Sequence, residues 1–220
     1  MPRVVSKRVA ARRGRRPISS GRGLILSRCR PETALAWGRR GLGAVTVATL
    51  DGWTLVVPTG PARARYPYDD AVRTLAGRPV TVWMRPTIGL FHLGRQAVVT
   101  VQPDGWRPVQ RWALWTPRDG LVQPAGLASA RPSDILAAAD ADPTLAPALR
   151  AAFGDAQPDA GAVLRAVLDV LGLPGGSLLS GEVDVADLPG ARVAEPAPRH
   201  ARAFDKIVAD EARHLIETEA

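Results

Sequence analysis

Cys29 and His92 are the two side chains of this 220-residue chain that could form a nucleophile and its base. A thiolate attacks where a thiol does not, and a neighbouring imidazole can take the proton. Cys29 lies between Arg28 and Arg30, whose charges would lower its pKa. His92 lies in the apolar run "LFHLG", where a lone histidine also serves as a hydrogen-bonded core or edge residue. The pair works only if the fold brings the two together.

Metal chemistry has less to stand on. His200 and His214 are fourteen residues apart, whereas a helical metal pair needs i,i+4 spacing. A single cysteine excludes an internal disulfide and any cysteine-clustered metal site. No metal and no cofactor are expected. "GRRGLG" (38–43) has phosphate-loop glycines, but they follow a presumed helix and precede a presumed strand. Phosphate loops need the reverse order, with helix amides aimed at the anion, so a helix C-cap is the better reading. Asp69 and Asp70 could be paired acids, but at a helix start they are caps.

The strongest chemical signal is charge. Residues 1–30 carry ten Arg or Lys and no acid, while the remaining residues carry 19 basic and 21 acidic groups. The net charge of +8 is therefore a property of one end. Arg3, Lys7, Arg8, Arg12, Arg13, Arg15, Arg16 and Arg22 form an arm over 1–22. Such blocks repel themselves, stay disordered when free and bind polyanions, either nucleic acid or an acidic protein. A solvated tail is the alternative. An Arg-rich, acid-poor segment also fits a mitochondrial presequence by composition. Secretory and twin-arginine signals need an apolar stretch after the charges, and "RRGRRPISSGRG" follows instead.

Six tryptophans outnumber tyrosine and phenylalanine combined. Trp106, Trp112 and Trp115 interleave with Arg107 and Arg111, a composition that stacks on bases or forms binding hot spots. On a strand, Trp112 and Trp115 would face opposite ways, one into the core and one outward.

The elements that must position these residues read as α+β. A strand at 23–29, a helix at 31–41, strands at 44–50 and 53–58 joined by Asp51-Gly52, a helix at 68–77 and a strand at 78–85 follow in turn. This is a ferredoxin-like βαββαβ start over 23–85 in a mostly antiparallel sheet. Runs at 87–93, 95–102 and 107–116 extend it as a β-meander. The chain then turns Ala/Leu-rich. Helices are expected at 132–141, with Ser133 as N-cap, at 143–154 and at 159–172, then a hairpin within 182–196 and a last helix over 199–220. The expected domains are a 1–22 arm, an α+β domain at 23–123, a helical subdomain at 132–196 and the terminal helix. A winged-helix reading of 159–172 fails on chemistry. That helix offers Arg165 beside Asp159 and Asp169, and base reading needs several donors.

No run approaches the ~18 consecutive apolar residues of a membrane span, so no membrane partner is expected. The bias of 27 Arg over 2 Lys, with abundant Ala, Gly and Pro, points to a GC-rich bacterial genome and a cytoplasmic protein. The sequence reads as a non-catalytic binding or assembly protein, open to homo- or hetero-oligomers, whose arm contacts a polyanion. The alternatives are a protein–protein adaptor with an irrelevant tail and a small enzyme using Cys29 and His92.

Overall fold

Turn chemistry starts the sheet. Asp51 and Gly52 both adopt positive φ, 49° and 78°, which gives a two-residue turn the twist of a tight hairpin. It joins β2 (Gly43–Leu50) to β3 (Trp53–Ala62), paired antiparallel from Leu50↔Trp53 to Gly43↔Ala62. The computed structural model describes residues 21–66, 68–104, 109–154 and 157–219. Before the hairpin come β1 (Arg22–Ser27) and α1 (Pro31–Gly38), with Pro31 opening the helix where no amide partner is needed. After it, α2 (Ala71–Ala76) is capped by Asp70, whose side chain accepts from the Val72 and Arg73 amides.

Among the described residues the chain is α+β, with nine strands in one large sheet and seven helices. β4 (Thr87–Leu93), β5 (Gln96–Gln102) and β6 (Arg111–Thr116) run as consecutive antiparallel neighbours, followed by β7 (Gly120–Val122). β8 (Ala128–Ser129) pairs with β6 in parallel. The order across the sheet is β7-β6-β5-β4-β1-β3-β2, with β9 (Arg192–Ala194) on the far edge.

Two expected elements differ. Residues 78–85 form no strand: Val82–Met84 is a 3-10 turn, and the next strand is β4. Pro79 has no amide to give, the Val80 amide donates to the Gln102 side chain at 2.8 Å, and Pro86 fixes the exit from the turn. No hairpin closes within 182–196. Val185–Asp187 is another 3-10 turn, and β9 pairs with β2, Val45 opposite Ala194. Ser133 is not a cap either: Pro132 opens α3 (Pro132–Ala139), and the Arg131 amide donates to Asp134 at 2.8 Å.

Both faces of the sheet are covered. Leu24, Leu26, Leu55, Leu90 and Val99 meet α3, α4 (Ala146–Ala152), α5 (Ala160–Leu171) and α6 (Gly176–Ser180). Ile25, Val56, Phe91 and Val98 meet α1 and α2. Burial on both sides makes β1 a continuous apolar run rather than an alternating one. The Phe91 ring fits because Gly23 and Gly89 lie against it, where any Cβ would collide with it. α5 buries Val163, Leu164, Val167 and Leu168, so its apolar stripe serves the core. α7 (Pro198–Glu219) ends the described chain.

Candidate functional site

The two ends of β1 decide what the candidate residues can do. β1 pairs antiparallel with β4, with Arg22 opposite His92 and Ser27 opposite Thr87. His92 therefore lies at the start of β1, and Cys29 lies two residues beyond its end. Five strand steps from Arg22 to Ser27 already span roughly 17 Å. Proton transfer needs about 3 Å. Cys29 and His92 are not a catalytic pair.

Nor is Cys29 activated. Burial pushes its thiol pKa up, only partly offset by hydrogen bonds from Ser27 and the main chain. Arg28 does not point its charge at the sulfur; its guanidinium sits 4.2 Å over the Trp53 ring. The Cys29 main chain is tied on both sides, its amide donating to Ser27 Oγ at 3.0 Å and its carbonyl accepting from Thr54 Oγ1 at 2.6 Å. Ser27 Oγ donates in turn to the Met84 carbonyl at 2.6 Å. This end of the strand is a closed hydrogen-bond network.

The Arg22 end is open. Arg22 is the first residue of β1, not part of a free arm, and its Nη1 donates to the Ser180 carbonyl at the end of α6. That bond forms a wall between two cavities. One, about 850 Å³, includes Thr46, Thr59, Arg63, Asp184 and Glu195 in its lining. Its Arg63 is spent, bound to Glu195 at 2.7 Å and to the Pro196 carbonyl at 2.9 Å. The other, about 590 Å³, is lined by Arg22, His92, Arg95, Asp159 and Arg165 among others. His92 and Arg95 flank the β4–β5 turn, and Asp159 caps α5 by accepting from the Ala162 amide at 2.8 Å. Arg165 Nη1 lies 3.7 Å from where a Cβ on Gly161 would stand, so its guanidinium folds back over the start of α5. Among the described residues, the Arg95 and Arg165 side chains have no hydrogen bond or ion pair.

The described members of the aromatic–arginine cluster do not form one exposed patch. Trp115 is 1% exposed and packs in the core beneath α3–α6, so it cannot stack on a ligand. Trp112 is half-buried against the α1–α2 side. Arg111 Nε pairs with Asp134 at 3.7 Å. Trp106 and Arg107 lie outside the described residues, as do Arg3, Lys7, Arg8, Arg12, Arg13, Arg15 and Arg16. The tryptophan that sequence reasoning missed is Trp83, 79% exposed on its 3-10 turn beside exposed Val82. The prolines at 79 and 86, which bracket the turn, were the signal available for it.

A third cavity, about 690 Å³ and mostly apolar, lies between α2 and the start of α7, where Tyr68 and Phe204 meet edge to face at 5.0 Å. Its Arg78 stacks 3.8 Å over Trp37. Burial, with Arg40's charge beside it, pulls the Arg78 guanidinium down to about 10, still cationic at neutral pH. Among the described residues there is no group of three side chains able to hold a metal, and no helix is long and apolar enough to cross a membrane. Compared with known proteins, the chain matches no family model, no curated protein and no solved structure.

Proposed function

We propose that this is a non-catalytic binding or assembly protein of the bacterial cytoplasm whose Arg-rich segment 1–22 contacts a polyanion, nucleic acid or an acidic partner. One observation carries the reading: ten cations and no acids in residues 1–30, against a slight acidic excess in the rest. A segment so charged draws polyanions by counterion release whatever its conformation. The separation of Cys29 from His92 removes the residues on which the enzyme alternative rested. We read β1–α1–β2–β3–α2–β4 as a ferredoxin-like unit, supported by its sheet order β4-β1-β3-β2 and by α1 and α2 sharing one face.

The experiment is a salt titration of fluorescent oligonucleotides against the full chain and a chain starting at Gly21. If about half of the ten cations engage, the log–log slope on duplex DNA is near −4 or −5, a loss of roughly 300- to 1,000-fold over a fourfold rise in salt. Most of that slope should vanish on truncation. Binding that is absent at low salt, or that keeps its slope without residues 1–20, would remove this reading. The adaptor reading then leads, favoured by the exposed Trp83 and Val82, since large exposed apolar groups mark protein contacts.

A further inference from the structure

The cavity at the Arg22 end contains more cation than the fold uses. Three exposed arginines line it from three places distant in sequence: the start of β1, the β4–β5 turn and the second turn of α5. Among the described residues that line it, Asp159 is the one acid, and its Oδ1 also accepts the Ala162 amide. Three arginines that line other cavities show how this fold can settle such charge: Arg63 lies on Glu195, Arg73 pairs with Asp70, and Arg78 lies on the Trp37 ring and donates to the Trp37 carbonyl, whereas Arg40 beside it has no such partner among the described residues. Arg95 and Arg165 are settled by nothing among the described residues.

We propose that Arg22, Arg95 and Arg165, with His92 beside them, form a phosphate site that takes a backbone phosphate of a single-stranded nucleic acid. The proposal rests on the polyanion reading above and adds the ligand's chemistry and its place on the fold. Guanidinium forks match phosphate oxygens two at a time, which suits this arginine-built wall. The volume of about 590 Å³ lies in the range of small-ligand sites and exceeds what a carboxylate side chain needs. That favours a phosphate with its sugar over the Asp or Glu of an acidic protein. Gly21, which follows the Arg-rich segment in sequence, lines this cavity as well as the one of about 850 Å³. A strand held by the segment is thereby presented to the cavity at high effective concentration.

The test compares full-length Arg95→Ala/Arg165→Ala with full-length Arg150→Ala/Arg199→Ala, two exposed arginines away from the cavity. The probe is a fluorescent single-stranded oligothymidylate titrated across salt, with polyglutamate as competitor and the unfolding midpoint as a check on the fold. Each phosphate neutralised on a single strand contributes about 0.7 to the slope, so losing the one phosphate held here should flatten it by about 0.7. The control pair should leave the slope as it was, and both variants should unfold with the wild-type chain. A cavity variant with the wild-type slope, or a control that loses as much, overturns the site while leaving the polyanion reading in place. Polyglutamate that displaces the oligonucleotide at equal charge concentration overturns the nucleic-acid assignment. A wild-type chain that binds nothing at low salt fails the underlying reading instead, and the site falls with it.

Discussion

The two ends of β1 carry the same kinds of residue and use them in opposite ways. At the Ser27 end most polar groups around Cys29 are committed, although the Arg30 side chain and the Arg85 Nε have no partner among the described residues. Ser27 holds the Met84 carbonyl, Thr54 holds the Cys29 carbonyl, and Arg28 lies on Trp53. At the Arg22 end, Arg95 and Arg165 face a cavity and hold nothing among the described residues. Arginine content alone therefore says little about where a chain binds. What matters is whether the charge of each guanidinium is already met by a carboxylate or an aromatic face; Arg22 donates to the neutral Ser180 carbonyl and keeps its charge for a ligand. Substitutions at the Ser27 end should change stability and leave binding alone. Those of Arg95 and Arg165 should do the reverse.

The largest expected effect is in the core beneath the open end. Trp115 lies opposite Ala97 at the start of β5, fully buried. Trp115→Ala should destabilise the fold by about 3–5 kcal/mol, as large-to-small core changes do. Its oligonucleotide salt slope should match wild type under conditions where it is still folded. A loss of binding without loss of stability would return Trp115 to the surface and revive the stacking patch. Next comes the closed end. Ser27→Ala leaves the buried Met84 carbonyl without its donor and should cost about 1–3 kcal/mol in denaturant unfolding, with no change in oligonucleotide affinity. A Ser27→Ala protein that unfolds normally but binds weakly would collapse the distinction between the ends.

The smallest effect is at Cys29. Its thiol pKa is raised in the fold, so below the unfolded value both states hold the proton and stability is at its fullest. As pH climbs past the unfolded value, near 8.5, the unfolded thiol ionises first and stability declines. The wild-type unfolding midpoint should drop relative to Cys29→Ser above about pH 9. Iodoacetamide should also label Cys29 more slowly than a free cysteine near neutral pH, since the thiolate is the reactive form. Fast labelling there would mean that Arg28 and Arg30 do activate the sulfur and that the closed end is reactive.

Some of this was readable locally. Asp51-Gly52 is a hairpin by residue type alone, and the charge division between residues 1–30 and the rest needs no structure. α5 announced itself through its apolar stripe, Asp159 at its start and Gly172 at φ 61° beyond its end. Other features lay beyond local patterns. The alternation in "RPVTVWMR" is broken in the fold, since Val80 and Met84 are buried but Val82 between them is exposed, and a side chain and two prolines keep that segment from pairing. Side-chain parity put Trp112 and Trp115 on opposite faces, yet it could not show that helices cover both. β9 pairs with a strand about 145 residues earlier, and Arg22, Arg95 and Arg165 converge only after α5 docks on the sheet. Long-range pairing of this kind leaves no mark in a local window.

Amide hydrogen exchange with and without a single-stranded oligonucleotide tests the assignment of the two ends most directly. The account predicts slowed exchange at the β4–β5 turn around Gly94 and Arg95 and at the start of α5 around Ala160 and Gly161. It predicts no change in the Asp51-Gly52 turn or in the turn from Val82 to Met84. Protection confined to those last two segments, with the Arg95 turn and the start of α5 unaffected, would contradict it and place the binding surface at the Trp83 end.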